Sequence, residues 1–173
     1  EVNTMNCEIK LYLAKAQAAG LSDAARNRAR ELSALAVNIE AAGDLIEKNL
    51  LNMARRMTSR GISFSAEGAT ELSDLHDRVL ANAHLALNVI ISGDAESARC
   101  LAEEKEHIRE IEARLQSLHL ERLAAGSQAT IETSNIHQET IRVFKQINTS
   151  FAIVANPILR ETGELLPSRL SGV

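Results

Sequence analysis

The sequence predicts an all-α protein of long antiparallel helices packed side by side, on three observations. Aromatic residues are only 2% of the 173-residue chain, Trp is absent, and Ala and Leu dominate; sheets favour Val, Ile, Tyr and Phe instead. Glycines fall between long stretches free of breakers, in "AAGLSD" (18–23), "SRGISFS" (59–65), "ISGDA" (91–95) and "LAAGSQ" (123–128). Apolar positions in the second stretch recur at alternating spacings of four and three, the seam of helices running nearly parallel in a bundle.

Taken in order, these signals predict five helices, over 2–19, 23–59, 66–92, 95–125 and 129–161. Gly20, Gly61, Gly93 and Gly126 sit where a left-handed residue closes a helix. Ser22, Ser65 and Asp94 stand where a side-chain oxygen caps the next one. Pro157 lacks an amide proton and should kink or end the last helix. The seam of the second helix is Leu32, Ala36, Ile39, Gly43, Ile46, Leu50, Met53 and Met57. Gly43 costs about 1 kcal/mol relative to alanine in a helix interior, and a close approach by a neighbouring helix would offset it.

An internal repeat is visible. "AAG" at 18–20 returns at 124–126, which pairs Met5 with Ile111 and Ile9 with Leu115. The seam Ile39, Gly43, Ile46, Leu50, Met53 corresponds to Phe144, Asn148, Phe151, Ala155, Ile158 with the same spacing. This reading divides the chain into 1–62, an incomplete first three-helix repeat, and 63–173, a second one. A helix precedes the pair only in the second copy, so the chain is expected to begin partway through a repeat at Glu1, which is not a methionine. An apolar face left bare at that start should drive self-association, and a homodimer is expected.

Several function classes lack support. A net charge of −4 leaves no electrostatic footprint for nucleic acid. No stretch reaches 18 consecutive apolar residues, so none is expected to span a membrane. Phosphate-binding glycine loops, nucleophile elbows and His-Glu-x-x-His stretches are absent. Cys7 and Cys100 form no disulfide framework, fit a reducing compartment and are expected to be buried thiols. The basic clusters "RNRAR" (26–30) and "ARRMTSR" (54–60) read as solvated faces, with contact to anionic lipid or an acidic partner as the alternative. His76, His84, His119 and His137 share no ligand spacing, and His137 reads as a satisfied core residue on the second seam.

The stretch with the most chemistry is "NIEAAGDLIEKNL" (38–50). Glu40, Asp44 and Glu47 project from one helix face. Carboxylates so spaced can share a divalent or ferric ion; the plainer alternative is a solvated acidic face, balanced in part by Lys48.

This stretch resembles the signature helix of PhoU-type phosphate-uptake regulators, in which a Glu-x-x-Gly-Asp core recurs in two three-helix repeats. Glu40, Gly43 and Asp44 match that core. The stretches 91–126 and 131–159 are similar to the cytosolic PhoU-like tail of bacterial sodium/phosphate cotransporters. The resemblance implies metal ions near Glu40 and Asp44, with Glu47 as a further ligand. It also implies contact with a membrane transport region of the same or a partner protein, on the cytoplasmic side of the inner membrane, and a regulatory role without catalysis. A free-standing PhoU-type regulator is the alternative. The second copy departs from the pattern: Lys145, Thr149 and Ala152 stand where Glu40, Asp44 and Glu47 would recur, so at most one site is expected. A third reading, a di-iron-like metalloenzyme, rests on the single Glu-x-x-His of Glu104 and His107, where two are needed.

Overall fold

A computed structural model describes residues 2–18, 20 and 22–163, and among them there is no strand. Helix α1 spans Val2–Ala18, and α2 spans Asp23–Asp44. A π-helical segment, Leu45–Leu50, continues without a break into α3, Leu51–Arg60. Then come α4 (Ala66–Ser92), α5 (Ala95–Ala124), α6 (Gln128–Ala152) and α7 (Ala155–Glu161). The expected first helix end at Ala19 and the expected chain start at Glu1 lie outside the described residues.

Local chemistry places the ends. Ser22, Ser65 and Asp94 each accept a backbone N–H three residues on, from Ala25, Gly68 and Ser97 at 3.3, 3.2 and 2.8 Å. Ser127 caps α6 in the same way through Thr130. The glycines at 20, 61, 93 and 126 all have positive φ, the conformation that lets the chain leave a helix sharply. The last predicted helix is divided: α6 stops at Ala152 and α7 begins at Ala155. The ring of Pro157 would clash with the carbonyl of Ile153 in an unbroken helix.

Helices α4, α5 and α6 pack on one another as a three-helix bundle, while α1 packs mainly along α2, and α2 with its π-turns lies against α6. One apolar cluster joins Met53, Leu72, Leu75, Ile108, Ile141 and Ile147. A second, built around Val89, Ala98, Leu101, Ala155 and Leu159, closes the other end of the bundle. Each fully buried Leu or Ile contributes on the order of 2 kcal/mol.

The π-turns revise the predicted seam. Leu45 and Leu50 pack against the core, whereas Ile46 is 46% exposed and Ala42 is buried at 2%. The Leu51 amide bonds back to the Ile46 carbonyl, five residues away. The wider turn carries Ile46 off the strict 4,3 seam and brings Leu45 inward. Gly43 also behaves differently from the expectation. A β-carbon there would meet only Val2, at 3.8 Å, an ordinary contact, so no unusually close helix approach requires the glycine. Cys7 and Cys100 are exposed rather than buried, because both lie on outward helix faces that no other helix covers among the described residues.

Candidate functional site

The acidic stripe lies where α2 passes into the π-turns, and its three carboxylates have separate engagements. Glu40 accepts a hydrogen bond from the Asn6 amide of α1. Asp44 accepts from Lys48 at 2.6 Å, and this bond holds the exposed Lys48 ammonium above its ordinary pKa, with the charges of Asp44, Glu47 and Glu40 adding to it. Glu47 is exposed on the π-turns. Among the described residues no group of three or more His, Cys, Asp or Glu side chains is gathered closely enough to hold a metal ion. The stripe as folded is therefore a set of paired or solvated acids, and an ion ligated by all three would have to displace both Asn6 and Lys48.

The α5–α6 hairpin carries the counterpart. Asn6 and Glu40 correspond, at the offsets of the sequence repeat, to Glu112 and Lys145. These two are joined across the hairpin by a 2.5 Å ion pair. Polar pairing thus occupies the same place in both hairpins, with the acid on opposite helices. Thr149, the counterpart of Asp44, turns its hydroxyl to the Lys145 carbonyl. Asp44 and Thr149 line a shallow groove of about 490 Å³ between the π-turns and α6, with Lys48, Asn49, Gln146 and Ser150.

An exposed apolar stripe lies on α1. Val2, Met5, Ile9 and Tyr12, spaced three, four and three, are 41, 54, 39 and 72% exposed. Their counterparts in α5 include Ile108 and Leu115, which are buried at 1 and 4% in the three-helix bundle. Of the other two counterparts, Ile111 is partly buried and Leu118 is 36% exposed, so the face is largely covered in one hairpin and more open in the other. The spacing was present in the sequence; only the packing shows that, apart from Val2, which lies beside Gly43 of α2, these side chains are left largely open among the described residues.

Other sequence candidates resolve into internal contacts. Arg78 of α4 holds Glu104 through two hydrogen bonds of 2.9 and 3.0 Å, and His107 lies 3.0 Å from the same carboxylate. The Arg78 hydrogen bond holds the Glu104 carboxyl below its ordinary pKa, against the opposing effect of burial. In the basic clusters, Arg26 and Arg28 pair with Asp23 and Glu31, while Arg56 reaches Glu139 of α6 at 3.2 Å. The stretch 26–30 borders a cleft of about 810 Å³ between α2 and the Val89–Gly93 and Ile153–Glu161 region. His137 is not the satisfied core residue expected: neither ring nitrogen has a hydrogen-bond partner, and its ring stacks on that of His119. Sequence spacing could not bring these two together, because they lie on different helices.

No described helix is long and apolar enough to cross a membrane. No family model matches the chain, and no solved structure matches it. Curated proteins do. The chain is 35% identical over 161 residues, 93% of its length, to the Salmonella typhimurium protein named "Putative inorganic phosphate export protein YjbB". It is 31% identical over 164 residues, 95% of its length, to the protein of the same name in Escherichia coli K12. In each case the match covers 30% of the relative, so the chain spans about a third of the length of the curated relatives it is similar to.

Proposed function

We propose that this chain is a non-catalytic regulatory domain of a phosphate-transport protein, acting through helix–helix contacts. The observation that carries the reading is the exposed apolar stripe of Val2, Met5, Ile9 and Tyr12. Each helical turn of it offers one large side chain, the pattern by which a helix takes up another helix. The phosphate-linked name shared by the relatives supports the transport context. The resemblance to PhoU-like tails of sodium/phosphate cotransporters gives the finer form: the partner is a membrane transport region of the same or another protein, and the domain sits on the cytoplasmic side of the inner membrane.

The test introduces charge into the stripe, as Ile9→Asp with Tyr12→Asp, in the intact gene. Cellular phosphate flux should change while the level of the protein holds. Unchanged flux at an unchanged protein level would defeat the proposal. In isolation the same stripe is expected to join two copies as a homodimer. Light scattering after size exclusion should then show the Ile9→Asp/Tyr12→Asp chain as a monomer; a wild-type monomer at every concentration would remove the dimer.

A free-standing PhoU-type regulator is the second reading, and it rests on the match of Glu40, Gly43 and Asp44 to the Glu-x-x-Gly-Asp core. The reading frame upstream of Glu1 separates the two: several apolar runs of about 18 residues or more favour the transporter domain, and a single further amphipathic helix favours the regulator. Metal binding at Glu40, Asp44 and Glu47 is not needed for either. Comparing metal content between wild type and Glu40→Ala/Asp44→Ala tests it directly.

A further inference from the structure

The end of the three-helix bundle beside the 61–65 loop holds a polar cluster that contact-based regulation does not use. His119 of α5 and His137 of α6 are 1 and 2% exposed, and their rings stack at 5.0 Å between centroids with 10° between planes. His119 Nε2 lies 2.9 Å from the Ser134 hydroxyl. The remaining three ring nitrogens of the pair have no hydrogen-bond partner. Beside them Arg122 of α5 grips Glu71 of α4 with two hydrogen bonds of 2.5 and 2.8 Å. Glu71 also stands 3.6 Å from His137 Nε2.

Such a cluster is costly, since each buried polar atom without a partner forfeits roughly 1–3 kcal/mol. Hairpin packing does not demand it. At the offsets of the sequence repeat His119 and His137 align with Leu13 and Leu32 of the α1–α2 hairpin, so apolar residues stand at those positions. A shared metal ion does not account for it either: the lone pairs of two nearly parallel rings lie in separate planes and do not converge on one point.

We propose that the His119–His137 pair is a proton-binding site whose occupation loosens the 61–65 loop and the first turn of α4 from the α5–α6 hairpin. The charges facing the pair are Glu71 from α4 and Arg122 from α5; the loop contributes the Phe64 ring, edge-on to His137 at 5.6 Å. Glu71 is already neutralised by Arg122. A proton taken from water by a free ring nitrogen therefore adds a cation that one carboxylate must share with an arginine. The cation can be hydrated only if the helices part. The nearest end to open is that of α4, where Gly68 packs so closely on His137 that a β-carbon would stand 3.3 Å from its ring. Helix ends and loops open at lower free energy than a core.

The direction of the pH dependence follows from burial. Burial, then the neighbouring charges of His119 and Arg122, push His137 below its ordinary pKa, and Glu71 and the adjacent Gly68 backbone oppose them. Burial and then Arg122 do the same to His119, again opposed by Glu71. Both rings are thereby biased toward the neutral form in the closed state, and the opened state binds more protons. Closure is thus at full strength above about pH 6.5 and weakens as pH falls below it, by up to about tenfold per histidine between about pH 7.5 and 5.5.

The test is hydrogen exchange of residues 61–70 at these two pH values, corrected to protection factors, with NMR titration of the imidazole C–H signals. Wild type should lose protection by more than about twofold and up to about tenfold per histidine, and His119→Leu/His137→Leu, which places leucines at both positions, less than about twofold. Equal losses in both chains, or no loss in wild type, would overturn the proposal. Should the double variant not fold, wild type decides: imidazoles that titrate near 6.5 without moving the 61–70 amide signals sink the idea, and depressed titration that moves them sustains it.

Discussion

Lys145 of α6 donates to Glu112 of α5 at 2.5 Å, in the place where Glu40 of α2 accepts from Asn6 of α1. One hairpin joins its two helices with an acid on the first and a base on the second; the other uses an amide and an acid. If the positions are interchangeable, Asn6→Glu with Glu40→Lys should move the α5–α6 pair into the α1–α2 hairpin with less than about 1 kcal/mol change in stability. Lys145→Met alone should cost about 0.5–1 kcal/mol, since its side chain is 36% exposed and solvent screens the pair. Urea unfolding of the three chains checks both.

Two glycines in helices should respond oppositely to alanine. At Gly43 the new β-carbon meets Val2 at 3.8 Å, so Gly43→Ala is expected to stabilise by up to about 1 kcal/mol. At Gly68 it meets the capping Ser65 Oγ at 3.2 Å and His137 at 3.3 Å. His137 is buried and cannot yield freely, so Gly68→Ala should cost about 1–2 kcal/mol. Thermal melts of both variants read the sign; a destabilised Gly43→Ala would show that the π-turns beyond it need the glycine.

The buried amides of Asn82 and Asn148 bond to each other at 2.9 Å across α4 and α6. Asn148→Leu leaves the Asn82 amide without its partner and should destabilise by about 2–3 kcal/mol, while Asn82→Leu/Asn148→Leu should recover most of that loss. A double variant as unstable as the single one would mean that packing, rather than hydrogen bonding, sets the cost.

Glu104 is held below its ordinary value of 4.5 by the Arg78 hydrogen bond first, with a smaller contribution from His107. A depressed carboxylate contributes stability that is complete above its unfolded pKa and is lost as pH falls through the folded one. Arg78→Ala should therefore raise the Glu104 titration seen by carboxyl NMR and flatten that acid dependence below about pH 4.5. An unshifted Glu104 in wild type would contradict the assignment. The same grip makes Glu104 a poor iron ligand, and added ferrous iron should leave the His107 signals unmoved.

Much of the helical layout was legible in the chain itself. The caps at Ser22, Ser65 and Asp94 and the glycine stops are local chemistry, readable within four residues, and the helix boundaries fell within a residue or two of those signals. The candidate site was less legible. Glu40, Asp44 and Glu47 share a face as their spacing implies, but spacing is silent on what each carboxylate meets: Asn6 lies 34 residues away in sequence, and Lys48 claims Asp44 before any other ligand. The π-turns were hidden for the same reason, since a single seam of apolar residues suits an α-helix until packing selects which of Leu45 and Ile46 turns inward.

By itself the sequence determined the all-α class and most of the helix ends, because each depends on backbone chemistry or periodicity along one segment. Only the tertiary structure decided that the α1 stripe is more open than its α5 counterpart, that Cys7 and Cys100 face outward, and that His119 and His137 stack over a shared Glu71–Arg122 pair. Those outcomes depend on which helix face meets which neighbour. That is settled by burying the largest apolar area across three helices at once, a condition no single segment carries.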